Sequence, residues 1–147
     1  MFGLEINMIV KDSIEALSVF SKAFEVEPVE VGDFITGQNE VVLDIYGTRF
    51  HLLDENEAFG LTAPKPGDSL PFWFNIVVPD ITSVFEKAAS NGFAVIQPIT
   101  EHLEMGISNA MLADPFGYVW MLHQIDKEIS YEERTKMFEE QGFQHRK

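Results

Sequence analysis

The chain has 147 residues, with 24 acidic against 10 basic for a formal charge of -14, and no cysteine. That length fits a single domain, and 46% hydrophobic residues with 13 Phe and 2 Trp can build a real core. The absence of cysteine excludes disulfides, thiolate metal sites and thiol nucleophiles, so any metal must be held by His, Asp or Glu. The acidic balance repels nucleic acid phosphates and anionic lipid, so the expected partners are neutral or cationic. No apolar run approaches the roughly 20 residues of a membrane span, and residues 1–13 lack the sections of a signal peptide. A cytoplasmic protein, with no nucleic acid and no membrane partner, is expected.

Residues 5–10 alternate as a strand. Asp12 is placed to cap a helix, with Glu15 completing a capping box; Ile14, Leu17, Phe20 and Phe24 mark one helical face and Pro28 bars continuation. Strands are expected near 29–31, 41–45 and 49–53. Residues 54–71, rich in Gly, Pro and acid, form a linker long enough to cover a cavity mouth. The order then repeats: a strand over 72–78, a helix with Val84, Phe85, Ala88 and Ala89 ending at Asn91-Gly92, and strands at 94–99, 107–112 and 119–124. After Asp126, Ser130 and Glu133 form a capping box for a short, weakly amphipathic helix.

Two matches mark an internal duplication. Asn7-Met8-Ile9-Val10-Lys11-Asp12 recurs as Asn75-Ile76-Val77-Val78-Pro79-Asp80, an offset of 68. Asp44-Ile45-Tyr46-Gly47-Thr48-Arg49-Phe50-His51-Leu52 recurs as Asp114-Pro115-Phe116-Gly117-Tyr118-Val119-Trp120-Met121-Leu122, an offset of 70. The fold class is therefore α+β: two pseudo-symmetric βαβββ modules (about 1–54 and 72–126) in one domain, 1–126, with a helical tail over 127–147.

Alternation sorts the first and last strands of each module into two faces. Ile6, Met8, Val10, Phe50, Leu52, Phe74, Ile76, Val78, Trp120 and Leu122 form an apolar core face. Glu5, Asn7, Ile9, Arg49, His51, Leu53, Trp73, Asn75, Val77, Met121 and His123 share the other face, the aromatic and polar mixture of a ligand pocket.

Residues 114–122 resemble the DP[DF]G-x-x-[WI]-x-L ending of the vicinal oxygen chelate superfamily, which includes glyoxalase I, extradiol dioxygenases and bleomycin-resistance proteins. Ser18-Val19-Phe20-Ser21-Lys22-Ala23-Phe24 resembles its FY-x-[KR]-[AV][LF]G helix, and the forms Lys22-Ala23-Phe24 and Trp120-Met121-Leu122 are most similar to the PhnB-like branch. The resemblance implies a glyoxalase-like curved mixed sheet with helices on its outer face, a U-shaped cavity and a homodimer. It also implies ligand positions for a divalent metal, which map to Glu5, His51, Trp73 and Met121. Trp has no ligating atom and a Met thioether suits soft ions, so that site is broken. A displaced His-His-Glu set of Glu5, His51 and His123, suited to zinc or iron(II), is the remaining metal arrangement.

The expected function is thus binding of a small, cationic or planar molecule without metal, with Trp73 as a stacking wall and Glu5, Asn7, His51, Asn75 and His123, beside Met121, as orienting groups. One alternative is an enzyme of lyase, isomerase or dioxygenase type using a residual metal or Glu5 and His51 as an acid/base pair. The other is a non-catalytic dimeric assembly module.

Overall fold

The computed structural model describes residues 2–147. The first module runs β1 (Ile6–Val10), α1 (Ser13–Ala23), β2 (Val26–Val31), β3 (Glu40–Ile45) and β4 (Thr48–Asp54). The second runs β5 (Phe74–Val77), α2 (Ile81–Ser90), β6 (Ala94–His102), β7 (Ile107–Ala113) and β8 (Val119–Ile125), followed by α3 (Tyr131–Glu140). Each module is a four-stranded mixed sheet, ordered β1-β4-β3-β2 and β5-β8-β7-β6. The outer strands β1 and β5 pair in parallel with β4 and β8, and the remaining ladders are antiparallel.

Local chemistry explains the boundaries. The Asp12 carboxylate accepts from the N–H groups of Ile14 and Glu15, and Asp80 accepts from Ser83, so each first helix begins where the preceding strand meets an aspartate. Of the expected stripe, Phe20 and Phe24 are buried and Leu17 packs on the core, whereas Ile14 lies at the surface and Ser13, Ala16 and Ala23 complete the buried face. Pro28 does not end that helix. The chain has already turned extended at Phe24, and Pro28 sits within β2, an edge strand with a register shift between Pro28 and Glu30, where a missing N–H is tolerated.

The apolar faces of both sheets point inward and share one core. Trp120 packs against Phe20 of α1, Phe24 just past its end, Phe50 of β4 and Phe74 of β5, with ring centroids 4.7 to 6.0 Å apart. Helices α1 and α2 also touch. Across the seam between modules, the Tyr118 hydroxyl donates to the Ile9 carbonyl on the free edge of β1 at 2.9 Å. The opposite sheet faces look outward.

The duplication extends to a pair of clasps. The Asp54 carboxylate, at the end of β4, accepts from the Ser13 N–H at 2.7 Å and so holds the start of α1. Gln124, 70 residues later, accepts through its amide oxygen from the Ile81 N–H at 2.8 Å and holds α2 in the same way. Asp54 also accepts from Gly37 and Asn39. Burial raises its carboxyl pKa, but hydrogen bonding from Ser13, side chain and backbone, and from the Asn39 and Gly37 N–H groups outweighs burial and leaves it below the ordinary 3.8.

Two stability outcomes follow. A depressed folded pKa contributes stability that is present above the unfolded value and lost as pH falls through the folded one. Asp54→Ala should therefore cost about 1–3 kcal/mol at pH 7, and urea titrations should show the gap from wild type narrowing in acid below the ordinary 3.8. Tyr118→Phe should cost about 1 kcal/mol by removing the seam hydrogen bond, measured in the same titrations at neutral pH.

Candidate functional site

Glu5 lies just ahead of β1, and the parallel register sets Asn7 opposite His51 on β4. The Arg49 guanidinium donates through Nε to Glu5 Oε2 at 2.7 Å. His51 Nδ1 stands 3.0 Å from Glu5 Oε1, and its Nε2 stands 3.2 Å from Glu40 Oε1 on β3. Carboxylates only accept, so both imidazole bonds form together only when both ring nitrogens carry protons. The Arg49 bond, then the His51 bond, hold the Glu5 carboxyl below its ordinary 4.5.

Beside this network lies a cleft of about 230 Å³ lined by Glu30, Phe34, Gln38, Glu40, Val42 and His51. Its wall is the loop 32–39, and two buried polar residues fix that loop. Asn39 exchanges bonds with the Phe34 backbone, accepting from its N–H and donating to its carbonyl at 2.8 Å each, while Asp54 takes the Gly37 and Asn39 N–H groups. Phe34 is left 70% exposed at the mouth. Apart from His51, none of these lining residues stood among the sequence candidates. Only first and last strands had been sorted by face, whereas antiparallel pairing of Val42 with His51 puts β3 on the same surface.

The seven sequence candidates do not converge. Glu5 and His51 meet, and Asn7 is exposed next to them. Trp73 and Asn75 instead line a cavity at the seam between modules. Met121 and His123 lie on β8 in the other sheet, and His123 borders a cleft beneath α3 with Ile107, Ile125 and Arg134. Among the described residues no three His, Asp or Glu side chains are grouped to hold a metal ion, so Glu5, His51 and His123 do not form a ligand set within one chain. The four positions implied by resemblance fare no better. Trp73 and Met121 offer no suitable donor, and both oxygens of Glu5 and both nitrogens of His51 already have protein partners. This donor set does not fit a divalent cation.

Comparison with solved structures gives the class of fold. FosX, a fosfomycin resistance protein from Listeria monocytogenes solved with Mn(II) and sulfate, superposes with a TM-score of 0.67 at 16% identity, covering 94% of this chain and 98% of that one. TioX from Micromonospora sp. ML1 gives 0.61 at 15% identity over 88% and 100% of the two chains. A glyoxalase/bleomycin resistance protein/dioxygenase family enzyme from Burkholderia phytofirmans PsJN gives 0.63 at 15% over 82% and 96%. The chain thus has the paired-module fold of the vicinal oxygen chelate superfamily. In sequence it is similar to the uncharacterized proteins Mb0911c of Mycobacterium bovis and Rv0887c of Mycobacterium tuberculosis, each 26% identical over 95% of this chain and over 94% and 84% of theirs. No family model matches it.

The Arg49–Glu5 contact has a direct readout. In Arg49→Met, the Glu5 carboxyl should titrate closer to its ordinary value, as followed by carbon-detected NMR of the side-chain carboxyl. An unmoved midpoint would show that Arg49 is not what depresses it.

Proposed function

We propose that this protein binds a small planar cation, without metal, in the cleft between the loop 32–39 and the Glu5–His51–Glu40 network. The observation that carries the reading is the grouping of Glu30 and Glu40 with the exposed Phe34 ring around one 230 Å³ cleft. An aromatic face and nearby carboxylates attract a flat cation together, and a chain charge of -14 favours its approach. The preoccupied ligating atoms of Glu5 and His51 support the metal-free part. The PhnB-like assignment rests on the two motif forms around Phe24 and Trp120.

Assembly as a cytoplasmic homodimer belongs to this reading. Both sheets turn a mixed face outward, with Ile96 and Ile125 of the second sheet more than half exposed, and a second copy would cover them. A monomer by light scattering at micromolar concentration would remove this part.

Thermal shift and calorimetry with N-methylquinolinium, against neutral 1-methylnaphthalene, test the ligand class. Saturable stabilisation by the cation alone is expected, weakened about tenfold in Glu40→Gln. Equal response to both compounds would overturn it. Elemental mass spectrometry of untagged protein after soaking in zinc, iron(II) and manganese should find metal well below one per chain; a full equivalent lost in Glu5→Gln would overturn the metal-free reading.

A second reading is kept by one contact. The 3.0 Å Glu5–His51 contact pairs a carboxylate with an imidazole, two groups of the kinds used in general acid–base catalysis. Turnover of a methylglyoxal–glutathione adduct or a catechol, abolished in Glu5→Gln and His51→Ala, would replace binding with catalysis as the function.

A further inference from the structure

The internal repeat fails at one place, and the failure leaves a cavity. Ile6 pairs with Phe50 in the first sheet and Phe74 with Trp120 in the second, so β1 maps onto β5 at an offset of 68 and β4 onto β8 at 70. By that register Ile9 corresponds to Val77, and Tyr118 to Thr48. In one half, the buried Tyr118 ring lies beside Phe72 and Phe74 and its hydroxyl crosses the seam to the Ile9 carbonyl. Thr48 is too short to make the matching crossing to Val77. A cavity of about 370 Å³ opens there, bordered by Ile6, Thr48, Phe50, Trp73, Val77 and Trp120.

The acceptor that a tyrosine would have reached is still present. Val78 donates its N–H to the His123 carbonyl on β8, and successive residues of a strand face alternate sides. The Val77 carbonyl therefore turns to the free edge of β5, where it has no hydrogen-bond donor among the described residues. Phe50, Trp73 and Trp120 are among the residues that border the cavity, and Trp73, 54% exposed, stands at the mouth. The volume lies within the roughly 300–1,000 Å³ of small-molecule sites.

We propose that this seam cavity binds a small uncharged phenol, its ring in the place that Tyr118 fills in the other half and its hydroxyl donating to the Val77 carbonyl. The site is separate from the carboxylate cleft on the first sheet and does not depend on what that cleft binds. The chain's net charge of -14 disfavours phenols that carry a carboxylate.

Both tryptophans of the chain, Trp73 and Trp120, border the cavity, so intrinsic fluorescence reports on it. Titration with p-cresol should give a saturable change at millimolar concentration, with toluene, which lacks the hydroxyl, about tenfold weaker. Thr48→Tyr should fill the cavity from within, abolish cresol binding and raise the melting temperature. Thr48→Phe should abolish binding by filling space alone. Amide NMR of the wild type keeps the idea falsifiable if neither variant folds: cresol should shift Val77, Asn75 and Thr48 and leave Glu40 and His51 in place. Equal affinity for toluene, binding unchanged in a folded Thr48 variant, or shifts centred on His51 would each overturn the assignment.

Discussion

Burial of the Trp120 indole sets the terms for the rest of the molecule. Its ring area is what joins two modules whose sheets share no ladder, since it packs on rings from α1, β4 and β5 together. A buried indole N–H needs an acceptor. It finds one in Asp114, at 2.8 Å, and that carboxylate also accepts from the Phe116 and Tyr118 N–H groups. The loop between β7 and β8 is thereby fixed, and with it the Tyr118 hydroxyl that reaches across to β1. Gly117 completes this loop, because its left-handed backbone lies where a Cβ would press on Pro64 of the linker. The arrangement has a cost. Burial pushes the Asp114 carboxyl up to about 6 against the pull of Trp120, Tyr118 and Phe116. A raised folded pKa means the native state keeps a proton that the unfolded chain releases, so this group subtracts stability as pH rises from 3.8 to about 6.

Much of this was legible in the sequence because it depends on period and repetition. The two matched segments gave the module order, and strict alternation separated the core face from the open one: of the ten residues assigned inward, Ile6 and Phe74 are partly buried and the other eight are buried. Alternation has a blind spot, however. It says which face a side chain occupies within its own sheet, not which faces share a space. Trp73 is expected beside Glu5 because it holds the equivalent place in the repeat, and His123 because it lies two residues past Met121 on the same face, yet one stands at the seam and the other under α3. The loop 32–39 was invisible for another reason. Its conformation is set by Asn39 folding back on the Phe34 backbone and by bonds to Asp54 at the end of β4, which leave no periodic trace.

The open face of the first sheet is organised by one polar network around Glu5 and His51. Side chains that could donate to a metal are instead bonded among themselves, with each oxygen of Glu5 and each nitrogen of His51 assigned to a neighbour. The outer carboxylates, Glu30 and Glu40, are the ones left facing solvent.

The two helix clasps are equivalent in position but not in kind. One is a carboxylate that titrates, and the other is an amide that does not. Acid reaches the two starts by different routes: protonating Asp54 loosens the start of α1 and the loop over the carboxylate cleft directly, whereas at α2 it acts on Asp126, which accepts from the Gln124 amide. Duplication has thus left two equivalent helix starts, one held by a charge and the other by an amide that a neighbouring charge orients.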